Sequence, residues 1–573
     1  MDQLIDGLTN AQPTYVSVFL AVMRFVAPLL AAILLWRCCA KLLFFRREPE
    51  IWAWLCLQNG KKLPITHWEN VIGRHRGCDI VIDFPTVSRN HGVLTRYDDG
   101  SWSISDAHSK EGILVNGEKV EFCALHPGDV ISIGGVEVSL EPVSAEQEKK
   151  LNRLRTSASS GMDSIANLLI LSVFQALSCM GFLMGGESTH AASILLGYGG
   201  IMLVQWCLLV LYLFLRRPSF ELETVAFFLC SMGMAAICTV KPGETVKQLI
   251  ALVLGVGVFL LVAWSMRDLE RAKKMRYVAA VAGIVLLVVT LLFGKEYYGA
   301  KNWLIIGSFS IQPSELAKVC FVYVGASAMD RLMNKHNLVL FIVYTVIVCG
   351  CLALMNDFGT ALVFFFAFLM IAYLRSGSVG TIALAVTALG FAGVIGLKLA
   401  PHALRRFASW RHIWENPLTS GYQQTRALMC IASGGFFGLG IGQGWMKNMF
   451  AADSDVVFAT LAEEWGLLMP LLLVLAIIAV ALFAVRCTGI SRSSFYSIGA
   501  CTAGTILVVQ TIFNVLGTLD VLPLTGVTMP FVSNGGSSMI CSWGLLAFIK
   551  AADTRKAASF AVRRGRHGGA VYE

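Results

Sequence analysis

A polytopic α-helical membrane protein with a small all-β domain near the N-terminus is the fold class this sequence predicts. Three observations predict it. The 573 residues are 56% hydrophobic and only 14% charged, whereas an ordinary soluble protein carries about 25% charged residues. Apolar runs of about 17 residues or more recur along the chain. One long stretch, residues 50 to about 143, breaks that pattern with polar, alternating sequence. The net charge of +9 sits mostly beside helix ends. No soluble stretch shows a basic stripe with interleaved aromatics, so nucleic acid is not an expected partner. The 16 cysteines are scattered, most of them inside apolar runs. With no CxxC pair and no metal spacing, they read as small membrane-core residues.

In chain order, the run from Tyr15 to Trp36 is too long for a signal segment and lacks a basic start, which predicts a retained anchor within residues 1–49. Arg24, in the middle of that anchor, must face another helix or snorkel. Residues 50–145 hold short alternating stretches ("DIVID", "GVLTRY", "SWSISD", "VISIGGVEVSL") separated by Gly and Asn-Gly turns, the pattern of a small β-sandwich. A charged linker occupies 146–162. Spans are then expected near 163–184, 194–215, 222–240, 246–264, 277–293, 313–328, 338–354, 359–374, 379–399, 459–485, 496–518 and 529–549, about thirteen with the anchor. They divide into two helices over 163–221, a core over 222–550 and a basic tail over 551–573.

Lys and Arg concentrate in alternate loops ("LRRP", "RDLERAKKMR", "DRLMNKH", "LRSGS", "RCTGISRSS") and in the tail. Positive-inside reasoning puts the β-domain and C-terminus in the cytoplasm and the N-terminus outside. The polar exceptions to this greasy sequence then converge on the outer face: 299–318, 356–361, 448–458 and 525–538. Four carboxylates, Asp453, Asp455, Glu463 and Glu464, crowd the mouth of an apolar run. Acids there are costly unless paired or wetted, which points to a site open to the outside. Glu315 and Lys318 stand at i and i+3, so they can pair on one helical face, and purely structural pairing stays open.

"QPSELAK" (312–318), "SGYQQTRALMCIASGGFFGLGIGQGWMKNMFAADSDVVFATLAEEWG" (420–466), "QTIFNVLG" (510–517) and "PLTGVTMPFVSNGGSS" (523–538) occur in an order that resembles the SEDS family, the FtsW, RodA and SpoVE proteins of bacterial cell-wall synthesis. The similarity covers about residues 222 to 550, a core of about ten spans, and leaves the anchor and the spans at 163–215 as additions. The chain departs from the family pattern at three places. Pro-Asp-Leu-Gly-Thr appears as Asn356-Asp357-Phe358-Gly359-Thr360, His-Thr-Asp as Asp453-Ser454-Asp455, and the Tyr of Ser-Tyr-Gly-Gly as Asn534.

The resemblance implies a multi-pass glycosyltransferase of the bacterial cytoplasmic membrane. It would polymerise lipid II into growing glycan chains at the outer face, in division, elongation or sporulation, beside a class B penicillin-binding transpeptidase. An acceptor hydroxyl needs one positioned carboxylate to take its proton, and a pyrophosphate leaving group gains from nearby cations. Asp455 matches the family's catalytic acid. Asp453 would add a second negative charge beside it. Glu315, Lys318, Asp357, Arg406, Tyr422, Gln423, Lys447 and Ser537 are the expected substrate contacts. No resident cofactor is required, although Mg2+ or Mn2+ could assist the pyrophosphate. Glu463 and Glu464, farther inside, suit a structural role. The glycine runs at 434–442 suit a tight re-entrant path, since no strand–loop–helix context supports a nucleotide loop.

The β-domain resembles a forkhead-associated (FHA) module, with "GR" (73–74), "SRNH" (88–91) and "SKEGILVNG" (109–117) in that family's order. Such modules bind phosphothreonine proteins. Arg74 and Ser88 match the phosphate contacts, with Lys110 and Asn116 beside them and His91 as a buried turn-stabilising residue. Lys110-Glu111-Gly112-Ile113 replaces the usual Thr-Asn-Gly-Thr, which leaves a phospho-independent docking domain as the alternative. A transporter or flippase of lipid-linked precursors would also use intramembrane Glu and Lys, as would a regulatory scaffold with a decayed core. The lack of an obvious inverted repeat and the one-sided polar motifs speak against the first. The retained Asp455, Glu315 and Lys318 speak against the second.

Overall fold

The computed structural model describes residues 13–45, 49–97, 100–144, 159–185, 188–267, 269–297, 300–307, 309–328, 335–376 and 409–555, with a few isolated residues between these segments. Most of the span expected at 379–399 lies outside the described residues, as does Arg406.

The β-domain is a sandwich of two sheets. The strands are β1 (Ala53–Leu57), β2 (Lys62–Ile65), β3 (Glu69–Gly73), β4 (Ile80–Val81), β5 (Gly92–Arg96), β6 (Trp102–Asp106), β7 (Ile113–Val115), β8 (Glu118–Val120), β9 (Phe122–Leu125), β10 (Val130–Ile133) and β11 (Val136–Pro142). One sheet is ordered β2-β1-β11-β10-β7-β8 and the other β4-β3-β5-β6-β9. Alternation places every second side chain inward: in β7 (Ile113–Val115) and β10 (Val130–Ile133), Ile113, Val115, Ile131 and Ile133 are buried. With Leu55 of their own sheet they close on Ile72 and Leu94 from the facing sheet in one apolar cluster.

The long helices form a second apolar cluster of their own. Among the described residues, nine are long and apolar enough to cross a membrane, and Val339–Leu354 and Gly536–Ala551 are shorter apolar helices. The anchor is α1 (Pro13–Leu43), the two added helices are α2 (Gly161–Gly185) and α3 (Ala191–Phe214), and the core begins with α4 (Glu221–Val240). Helix α4 is the hub, with 89% of its apolar stretch buried, against 17% for the span Lys274–Phe293. Close approach at the hub requires glycine: a Cβ on Gly233 would stand 2.5 Å from the Val532 carbonyl oxygen. The remaining elements are α5 (Thr245–Ser265), α6 (Leu269–Phe293), α7 (Pro313–Ala328), α8 (Lys335–Leu354), α9 (Phe358–Ser376), α10 (Tyr422–Gly434), α11 (Val457–Trp465), α12 (Leu468–Thr488), α13 (Ser494–Thr518) and α14 (Gly536–Ala551).

Three local expectations change. The span expected at 459–485 is broken into α11 and α12 by Gly466, whose φ of +80° is the left-handed region that favours glycine. A Cβ there would meet the Phe436 carbonyl oxygen at 2.2 Å, so a passing loop dictates the break. The last span starts at Gly536 rather than 529, because the Asn534 amide donates to the Asp453 carbonyl (2.7 Å) instead of entering a helix. Between α6 and α7, β12 (Lys295–Tyr297), β13 (Ala300–Ile306) and β14 (Phe309–Ile311) form a small antiparallel sheet, where only a polar outer segment was expected.

The β-domain is seated on the helical core. The Trp68 amide donates to the Arg492 carbonyl (2.7 Å), His67 Nδ1 meets the Ser491 carbonyl (2.5 Å) and Arg492 pairs with Glu50 (2.7 Å). Trp68 packs in the apolar cluster of the helices rather than in that of the sandwich, edge-on to Tyr496.

Candidate active site

Four segments far apart in sequence meet at one end of the helical core. Residues 449–456 lead into α11, and Asp455 is half-buried there. Its position is fixed through the backbone. Asn514, on α13, donates from one amide nitrogen toward the carbonyls of Asp455 (3.0 Å), Ser454 (3.3 Å) and Val527 (3.0 Å). That single side chain ties the approach to α11 to the 525–528 loop. Gly526, with φ +71°, lies beside the Asp455 carboxylate: a Cβ on it would stand 3.4 Å from Oδ2.

The same loop continues the network. Gly359 at the start of α9 lies against that loop: a Cβ on it would stand 3.0 Å from Val527 Cγ2 and 3.2 Å from Thr525. Asp357 caps α9, accepting from the Thr360 amide (3.1 Å), and it also accepts from Asn302 (3.1 Å) and Gln312 (3.3 Å). The Gln312 amide donates to Ser537 Oγ (3.1 Å), which brings the foot of α14 into the group. Asp455, Asp357 and Ser537 are thus joined by a continuous set of contacts. Asn302, Gln312 and Asn514 are further members that no residue-type signal singled out. Glu315 and Lys318 follow one turn on along α7. Both are buried and 2.5 Å apart, with Glu315 Oε2 lacking a partner among the described residues.

Asp453 is a different case. It is expected to add a second negative charge beside Asp455, and that charge is paired: the Lys241 ammonium lies 3.0 Å from Asp453 Oδ2. Asn534 donates to the same carboxylate (2.7 Å) and also reaches Glu244 (3.1 Å). Two of the departures from the family pattern, Asp453 and Asn534, therefore touch each other. The third, Asn356, has φ +59°, a value closed to the proline it replaces.

Glu463 and Glu464, buried on α11, act as anchors for the glycine-rich loop. Glu463 accepts from the amides of Trp445 (3.0 Å) and Met446 (2.8 Å). Glu464 accepts from Gly442 (3.1 Å) and Gly444 (3.4 Å), and from Thr239 Oγ1 (2.7 Å). Buried carboxylates that accept several amide bonds are satisfied structural groups. Lys447 donates to the Gly442 carbonyl (3.1 Å) and Gln423 to the Phe450 carbonyl (3.1 Å), while exposed Tyr422 lies under the Arg426 guanidinium. These three lie along the glycine-rich loop and its helix α10. Among the described residues, no cluster of three or more His, Cys, Asp or Glu gathers as a metal site.

On the β-domain, Arg74 is exposed and its amide donates to the Ser88 carbonyl (3.0 Å), while the Lys110 amide donates to Ser88 Oγ (3.1 Å). Arg74, Ser88 and Lys110 thus share one edge. His91 is fully buried, accepting at Nδ1 from the Ser88 amide (3.0 Å) and contacting the Gly112 carbonyl (3.0 Å), as a turn-stabilising residue does. Asn116 is occupied otherwise: its side chain joins Asp129 (2.9 Å) and the Val130 amide (3.0 Å) across a hairpin end.

Comparison with known proteins agrees with both halves. The FtsW/RodA/SpoVE model, described as a cell cycle protein, matches residues 222–557, and the FHA domain model matches residues 70–134. FtsW of Tolumonas auensis is 34% identical over 352 residues, covering 57% of this chain and 90% of that protein. The peptidoglycan glycosyltransferase RodA of Mycobacterium tuberculosis is 28% identical over 322 residues, covering 53% and 69%. The crystal structure of the rod shape determining protein RodA of Thermus thermophilus is 23% identical with a TM-score of 0.41, covering 58% of this chain and 95% of that one.

Proposed function

We propose, since the chain belongs to the FtsW/RodA/SpoVE family, that it is a peptidoglycan glycosyltransferase polymerising lipid II at the outer face of the cytoplasmic membrane, under the control of its FHA domain. Asp455 takes the proton from the acceptor sugar hydroxyl as that oxygen attacks the anomeric carbon of the donor. The bond to the lipid pyrophosphate breaks, and the leaving group departs as an anion that needs cations rather than a general acid. Lys318, Arg406 and Lys447 are the cations assigned to this part of the reaction. Asp357, Ser537, Tyr422 and Gln423 border the sugar-lipid, and Glu315 holds Lys318. Arg74, Ser88 and Lys110 take a phosphothreonine of a regulatory protein. A class B penicillin-binding transpeptidase is the expected partner for crosslinking the product.

The observation that carries this reading is the Asn514 bracket, which holds the Asp455 backbone against the glycine-bearing 525–528 loop. The test is polymerisation of lipid II by the purified chain, alone and with its transpeptidase. Asp455→Asn should lower the rate by about 10²–10⁴-fold, the usual cost of an essential base. Folding and lipid II binding should persist. A parent that binds lipid II, moves it across vesicle membranes and never polymerises it would instead support the flippase.

A further inference from the structure

The helices added before the family core do more than anchor the β-domain. Helices α1 and α2 lie side by side, with Lys41 paired to Asp163 (2.8 Å) at one end. At the other end both touch the glycine-rich loop of the active region. Arg24 Nε, on α1, donates to the Phe437 carbonyl (3.4 Å), and the Phe25 and Phe437 rings lie 4.8 Å apart. On α2, a Cβ on Gly181 would stand 2.6 Å from Ile441 Cδ1, so that glycine admits the loop's isoleucine. The rings of Phe174 and Phe182 flank Trp465 at 6.2 and 6.4 Å. A small cavity joins the two sides, lined by Leu20, Met23, Arg24, Ile441, Glu464 and Trp465.

From the core side the same loop hangs on Glu463 and Glu464 through the amides of Gly442, Gly444, Trp445 and Met446. The loop is therefore gripped from both sides, and α11, which supplies the core-side grip, begins two residues after Asp455. An arginine within an apolar span is costly unless it gains a partner there, and the loop supplies one.

We propose that α1 and α2 brace the outer loop and that Arg24 is a positioning residue, holding residues 436–442 so that the entry to α11 keeps Asp455 in reacting geometry. Only the kinetic part of this rests on the glycosyltransferase reading. The experiment compares the detergent-solubilised full chain with Arg24→Met, Arg24→Lys and Gly181→Val. Hydrogen exchange over 436–446 should quicken by about tenfold in Arg24→Met and Gly181→Val, the effect of losing one loop fastening, while exchange over 494–513 stays at the parent rate. In lipid II polymerisation kcat should fall about tenfold with KM little changed, as a misplaced rather than missing group produces. Arg24→Lys, which keeps a donor and a charge, should recover part of both. Unchanged loop exchange in both variants would reduce the helices to anchors. Faster exchange with parent kcat would overturn the positioning role. If the parent itself polymerises nothing, the glycosyltransferase reading fails while the exchange measurement still decides the brace.

Discussion

Two acids two residues apart meet opposite surroundings, and this sets their expected chemistry. Asp453 is 1% exposed and held by Lys241 and Asn534, whereas Asp455 is half-buried beside Gly526. Asp453→Asn should therefore leave polymerisation within a few-fold of the parent and leave the acid limb of its pH–rate profile unmoved, measured from pH 5 to 9. Lys241→Met should strand the buried Asp453 carboxylate and lower stability by about 1–3 kcal/mol, the usual cost of a lost charged hydrogen bond, read as a fall in Tm. The Glu315–Lys318 pair demands a double-mutant cycle. Lys318→Met alone leaves a buried carboxylate unpaired and should cost about 3–5 kcal/mol. Glu315→Gln with Lys318→Met should restore much of the stability. If the double variant is stable yet inactive with lipid II, the pair serves the substrate; if stable and active, it is structural only.

At the scale of elements, the sequence was legible wherever one periodicity ran unbroken. Apolar length marked most of the helices, and alternation marked strands such as β7 and β10, because burial there depends on neighbours a few residues away. It was less legible where a distant segment dictates conformation. Gly466 looks like one more glycine in an apolar run until the Phe436 carbonyl is placed against it. The sheet at 295–311 lacks a clean period and joins two apolar helices. Asp453 and Asp455 share one motif, but Lys241, 212 positions from Asp453, stands in no motif with them. In the β-domain, Asn116, expected beside the phosphate contacts, also bonds to Asp129, a partner that no motif pairs with it. Arg74→Ala should abolish binding of phosphothreonine peptides in isothermal titration, whereas Asn116→Ala should chiefly lower the Tm of the domain. The Asp129 carboxyl is held below its ordinary value first by the His126 amide and then by Asn116. A carboxyl depressed in the folded state stabilises fully above its unfolded pKa of about 3.9 and loses that contribution as pH falls through the lower folded value. Thermal unfolding between pH 5 and 2 should therefore show a loss on acidification that shrinks in Asn116→Ala.

For the whole molecule, the arrangement places a phosphate-binding edge on a domain that is itself docked on the membrane core. Covalently linked domains move freely unless their interface is substantial. Here Trp68 is 4% exposed and has left the sandwich to join the apolar cluster of the helices, with Glu50–Arg492 and two backbone contacts around it. Arg74, by contrast, is exposed, so a phosphopeptide can bind without undocking the domain. The seat is the loop from Ser491 to Tyr496 at the start of α13, and α13 is the helix that carries Asn514 at the active end. A partner that tugs on the β-domain therefore pulls on the helix that brackets Asp455. With specific protease sites introduced at 46–48 and 152–158, cleavage of the parent should leave the β-domain bound to the solubilised core on gel filtration. Trp68→Ala with Glu50→Gln should release it, while phosphothreonine peptides bind the released domain with a Kd within about twofold of the parent, since the substituted residues lie away from Arg74 and Ser88. Release of the parent domain on cleavage alone would mean that the linkers, and not this seat, hold the two parts together.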